Sequence, residues 1–183
     1  EMIGTDKNQD GIIEYGYSGN ANSWSGDMRP ANWWDTIGFG HDDAYSNALA
    51  YKACILLSEV GEKLKKPETT RRFRSFAENL KQHYFQRFYN PQTGVLGGWR
   101  SEDGKLHDYY FTFVNSIAVC HDLVDKEQGK KIMQALLEKK KEVGYTNFSL
   151  GLPGNLITVR REYYTDHDRR WGYGKDEEGR DGY

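Results

Sequence analysis

A carboxyl group set beside two indole rings is the first feature of this chain that could do chemistry. The stretch "NWWDTIGFGHDD", residues 32–43, places Asp35 directly after Trp33 and Trp34. A partly desolvated carboxyl has a raised pKa and can stay protonated near neutral pH, which suits a general acid. The same aspartate would serve equally well as a helix N-cap or as a loop hydrogen-bond acceptor. Polar groups near other aromatics form the second tier. Glu14 with Tyr15, Arg100 beside Trp99, and His41 are candidates for binding hydroxyl groups, and Trp33, Trp34, Trp99 and Trp171 offer flat apolar faces.

A different chemistry is suggested by "DKNQDGIIE", residues 6–14. Asp6, Asn8 and Asp10 occupy positions 1, 3 and 5 of a calcium-binding loop, and Gly11 occupies position 6. Position 12, which should carry a bidentate glutamate, is Tyr17, so the EF-hand pattern stops halfway. Asp6, Asn8, Asp10 and Glu14 could hold a structural Ca²⁺; otherwise the segment is an Asx-rich turn whose side chains satisfy their own backbone. No other cofactor is implied. Late in the chain, "VRREYYTDHDRRWGYG" offers Glu162, Asp166, His167 and Asp168 as carboxyl and imidazole partners, at a spacing that specifies little.

The elements that must position these groups read as helices. Residues 43–64 are apolar on nearly every side, the pattern of a helix buried all round. Asp42 and Asp43, at its start, suit capping. After Lys65-Lys66-Pro67, the residues Phe73, Phe76, Ala77, Leu80 and Tyr84 recur at helical spacing between charges, which predicts an outer helix over 68–89. Turn signals crowd residues 90–107 and predict a short hairpin there. A second apolar helix is expected over 108–124. An amphipathic one should follow to Glu142, opened by Asp125 with Gln128 three residues on. Cys54 and Cys120 fall within apolar runs and read as core thiols.

The order is therefore a loop over 1–42, a hairpin over 43–89, a loop over 90–107, a hairpin over 108–142 and a long loop over 143–183. All five tryptophans, Trp24 and Trp171 among them, fall in the loops. Such a layout repeats in architecture rather than in letters, and the loops would gather into an aromatic cup at one end. The 183 residues, 37% hydrophobic and 28% charged with a net charge of −2, suit a single globular domain. The near-balanced charge argues against a nucleic-acid partner, and no apolar run reaches the roughly 18 residues of a membrane span. The compartment stays open between secreted, periplasmic and cytoplasmic. The start at Glu1, with no leader, suggests a piece of a longer protein.

"DKNQDGIIEYGYSGN", "NWWDTIGFGHDDAYSNALAYKA", "FYNPQTGVLGGW" and "LGLPGNL", in that order, resemble the six-hairpin glycosidases, the group that includes trehalase-like, processing-glucosidase-like and rhamnosidase-like enzymes. The resemblance implies an all-α fold, the alternating inner and outer helical hairpins of an (α/α)6 toroid, incomplete in this chain because two hairpins and part of a third stand where six are needed. It implies an inverting glycoside hydrolase with a carbohydrate substrate, Asp35 as general acid, and a base supplied by the remainder of the barrel. The competing expectation is a non-catalytic αα-repeat module that binds carbohydrate or protein. Isoprenoid transfer on a helical toroid lacks the carboxylate pairs it needs for Mg²⁺-pyrophosphate.

Overall fold

The computed structural model describes residues 5–21, 30–34, 36–146, 149 and 151–164. Along the chain these form β1 (Asp42–Asp43), α1 (Ala44–Lys63), α2 (Pro67–Phe88), β2 (Tyr89–Asn90), β3 (Val95–Leu96), β4 (Trp99–Arg100), β5 (Leu106–His107), α3 (Thr112–Cys120) and α4 (Lys126–Glu142), with a 3₁₀ turn at Arg161–Tyr163.

Local chemistry sets most helix ends. Asp43 caps α1, its carboxylate accepting from the Tyr45 N–H at 3.0 Å. Lys65, at φ 54°, turns the chain over, and Pro67 opens α2 in the first helical turn, where a missing N–H costs nothing. Gly61 lets the two helices close: a Cβ there would meet the Thr70 hydroxyl at 2.7 Å. The stripe Phe76, Ala77, Leu80, Tyr84 and Phe88 buries the inner side of α2. Asp125 and Gln128 form the expected reciprocal capping box on α4.

The connection between α2 and α3 is not a loop. β1, β4 and β5 pair antiparallel in one sheet, with Asp42 opposite Arg100, Asp43 opposite Trp99, and Trp99 opposite His107. β2 and β3 form a second, two-stranded sheet around the turn that ends at Gly94, φ 76°. The second apolar helix is shorter than the sequence suggests. Asp108 turns back to accept from the Tyr110 N–H at 2.9 Å, Tyr110 takes φ 53°, and Phe111 bridges Asn155, so α3 starts only at Thr112. It ends at Cys120 before Asp122 at φ 57°, which leaves Cys120 exposed while Cys54 is buried.

These observations correct the expected architecture. With two sheets and four α-helices among the described residues, the fold is mixed α/β, not an all-α (α/α)6 toroid, complete or partial. The likeness to six-hairpin glycosidases goes with it, and so does the inference that the rest of a barrel is missing. The physical reason is that residues 89–107, irregular by their turn signals, spend their backbone donors and acceptors on ladders to one another and to β1. No helix among the described residues is long and apolar enough to cross a membrane.

The core lies where the helices meet the larger sheet. Trp99 is fully buried there, packed against Phe39 and Phe111 and stacked on His107 with ring centres 4.4 Å apart. Its Nε1–H donates to the Gly19 carbonyl at 2.9 Å. Two buried asparagines clasp helices to neighbouring backbone by the same device. Asn47 of α1 accepts from the Ile13 N–H and donates to the Ile13 and Asp43 carbonyls. Asn115 of α3 does the same with Leu96 and Phe111.

Candidate metal centre

Glu14 forms an isolated antiparallel bridge with Asp42, and Asp42 pairs with Arg100. Residues directly opposite in a ladder share a face, so Asp42 of β1 and Arg100 of β4 form one row that the bridge residue Glu14 extends. The neighbour of Asp42 would normally point away. His41, however, sits at φ 21°, outside the regions comfortable for a side-chain-bearing residue, and its Nε2 lies 4.0 Å from Asp42 Oδ1. Glu14, His41 and Asp42 thereby bring three ligand atoms within 4.8 Å of one another and could hold a metal ion.

Asp42 is the centre of the arrangement. Its side chain is fully buried, and Arg87, from the last turn of α2, binds Oδ2 through Nη2 and, at 2.6 Å, through Nε. Oδ1 is buried with no hydrogen-bond partner. Burial raises the Asp42 pKa, while Arg87 and then His41 draw it back. A buried carboxylate with one oxygen fully engaged and the other unpartnered is costly, and a cation there would satisfy it. Arg87 and Arg100 also line a cavity of about 270 Å³ with Asp10, Ile12, His83 and Gln86, which none of the three donors lines. Bonds of ~2.0–2.2 Å need donors ~3.4 Å apart around a tetrahedral ion, so loading would require side-chain shifts of about an ångström.

The calcium-like loop is closed on itself. Asp6 Oδ2 accepts from the Gly11 N–H, Asn8 Oδ1 from Asp10, and Asp10 Oδ1 from Ile12. The Asn8 amide donates to Asp10 Oδ2 and, at 2.7 Å, to Glu14 Oε1. Only Asp6 Oδ1 is buried and unpartnered there, and burial raises the Asp6 pKa. Asn8 thus ties Glu14 to the loop.

The remaining candidates are scattered. Trp33, 64% exposed, stacks on Trp34 at 5.8 Å, and both rings touch Phe113. Trp99 is inside the core. The Arg100 guanidinium donates to the Arg87 and Gly104 carbonyls, and burial together with Arg87 lowers its pKa. Burial raises the Tyr15 pKa, and its neighbours are Ser46 and Asp43. Asp35, Trp24, Trp171, Asp166, His167 and Asp168 lie outside the described residues. Of the two aspartates expected to cap, Asp43 caps and Asp42 does not. Sequence reasoning misses Arg87; its one signal is a cation in the last turn of α2, and only the β1 register shows what it reaches.

A serine–histidine pair also occurs. Ser101 Oγ lies 2.9 Å from His107 Nε2 and donates to Asp103 Oδ1 at 2.5 Å. Burial lowers the His107 pKa to about 3, so the ring is neutral. Both residues are only 2% exposed, so a substrate could not reach them, and the trio locks the β4–β5 hairpin.

No protein-family model and no curated protein matches this chain. The expected glycoside hydrolase is therefore corrected: neither the fold nor any match carries that mechanism, and the glycosidase activity and carbohydrate substrate fall with it.

Proposed function

We propose that the chain is a metal-binding protein that takes one divalent ion of the zinc class through Glu14, His41 and Asp42. The observation that carries this reading is the buried, unpartnered Asp42 Oδ1 facing the His41 imidazole. One nitrogen and two carboxylate donors suit a borderline ion better than Ca²⁺, which prefers an all-oxygen shell of six to eight ligands. Three protein donors also leave a coordination position for water or a small ligand. An ion there would tie the N-terminal segment to β1, adding stability that grows with the logarithm of the free ion concentration above its dissociation constant.

A structural Ca²⁺ at Asp6, Asn8, Asp10 and Glu14 is the second reading, favoured by the unpartnered Asp6 Oδ1. Its cost is breaking the loop's own hydrogen bonds. Calorimetric titration of the metal-free protein with Zn²⁺ and with Ca²⁺ separates the two. The first reading expects one Zn²⁺ per chain, with affinity at least about 10-fold lower in His41→Ala and falling at acid pH as protons compete for the donors. Calcium binding that survives His41→Ala but is lost in Asp6→Ala would favour the second. Heats of dilution alone with both ions would sink both.

A further inference from the structure

The sequence of α1 predicts a helix buried on every side, and the structure leaves one side open. α2 and α3 cover the face that carries Ala44, Asn47, Ala48, Tyr51, Cys54, Ser58 and Gly61. On the opposite face Leu49, Leu56, Leu57, Val60 and Leu64 are between 43% and 62% exposed. Scattered exposed leucines need no explanation, but a continuous stripe does. Leu49, Leu56 and Val60 follow one another at helical seven- and four-residue steps, with the small Ala53 between the first two. At ~1.5 Å per residue the stripe from Leu49 to Leu64 runs ~22 Å.

We propose that this face pairs with the same face of a second copy, α1 against α1 antiparallel about a two-fold axis near Leu56. Charge placement selects this occupant. Lys52 and Glu59 lie on one flank of the stripe, seven residues and hence ~10 Å apart, too far to pair along their own helix. Among the described residues neither forms an ion pair within the chain. An antiparallel crossing at Leu56 sets Lys52 against the partner's Glu59 and Glu59 against the partner's Lys52, two complementary pairs from one symmetric contact. At that crossing Val60 and the partner's Ala53 come within about two residues of the same level, ~3 Å along the axis, large beside small. A parallel pairing in register would instead set like charges together. The stripe offers a few hundred Å² per copy, below the roughly 800 Å² of a standard interface, so the dimer is weak, with a dissociation constant in the micromolar range.

Sedimentation velocity on the full chain over about 1–200 μM tests this. The expected result is a concentration-dependent monomer–dimer equilibrium. Leu56→Glu should weaken it at least about 10-fold, Lys52→Glu should weaken it severalfold, and Lys52→Glu with Glu59→Lys should restore it. None of the three side chains is buried in the chain itself, so circular dichroism should show the fold unchanged. A wild-type monomer throughout the range, self-association indifferent to Leu56→Glu, or a double charge exchange no better than the single one would each overturn the proposal.

Discussion

Asp43 combines two demands that conflict, and replacing it with asparagine should expose the conflict. The carboxylate caps α1, accepting from the Tyr45 N–H at 3.0 Å and from the Ser46 hydroxyl at 2.7 Å, yet it is fully buried. Burial pushes its pKa from the usual 3.8 up to about 6, against the opposing pull of Ser46 and the Tyr45 N–H. A carboxyl whose folded pKa is raised favours folding when protonated. Its contribution is therefore present below pH 3.8, is lost as the pH rises toward 6, and stays lost above. A rise of this size corresponds to about 3 kcal/mol of penalty at pH 7.

The substituted side chain would keep the cap, since asparagine is as good an N-cap as aspartate. Its amide would donate to Ser46 Oγ, freeing the single Ser46 hydroxyl proton for the Ala31 carbonyl, 2.8 Å away. Asp43→Asn should thus stabilise the protein at pH 7 by about 1–3 kcal/mol, the lower figure allowing for lost charge-assisted hydrogen bonds. The advantage should shrink to near zero at about pH 4. Urea unfolding of both proteins between about pH 4 and pH 8 measures the gap directly, because groups common to both cancel. A gap that does not change with pH, or a variant less stable at pH 7, would refute the reasoning.

Two further outcomes follow from the core. His107 is held neutral, its pKa lowered by burial and by Lys105 to about 3, so its contribution is present above pH 6.5 and is lost as the pH falls toward 3. His107→Gln should flatten the acid limb of the stability profile in that window, as read by thermal unfolding in a pH series. Trp99→Phe empties part of the space between Phe39, Phe111 and Tyr163 and leaves the Gly19 carbonyl without its donor. Denaturant midpoints should fall by the equivalent of about 2–4 kcal/mol.

How much of this can be read from the letters depends on distance along the chain. The stripe of α2 and the Asp125–Gln128 box of α4 are local patterns and are legible. The two sheets are not, because strands of two residues carry no alternation to detect. What holds them is pairing between segments far apart, such as Asp42 with Arg100. The candidate centre is half visible. Glu14 stands out as a metal ligand, though in the company of Asp6, Asn8 and Asp10, and His41 stands out for binding hydroxyls, whereas Asp42 passes for a cap because nothing in "HDDAY" says which aspartate faces the helix and which the sheet. Arg87 reaches Asp42 across 45 residues, a contact only folding reveals. The aromatic loops resemble a family signature, although much of that aromatic surface, Trp99 above all, serves to fill the core.

The asparagine clasps bear on how narrowly this chain is written. A carboxamide has the donor and acceptor of a peptide group, so Asn47 and Asn115 each present a helix to a neighbouring segment as if it were one more residue of strand. Aspartate would lose the donor, leucine both partners, and glutamine would overshoot by a methylene. At these two addresses the alphabet shrinks to nearly one letter. Exposed positions of these helices outside the α1 stripe could be respelled more freely, so much of what the sequence must say about holding these two helices in place is said in two words.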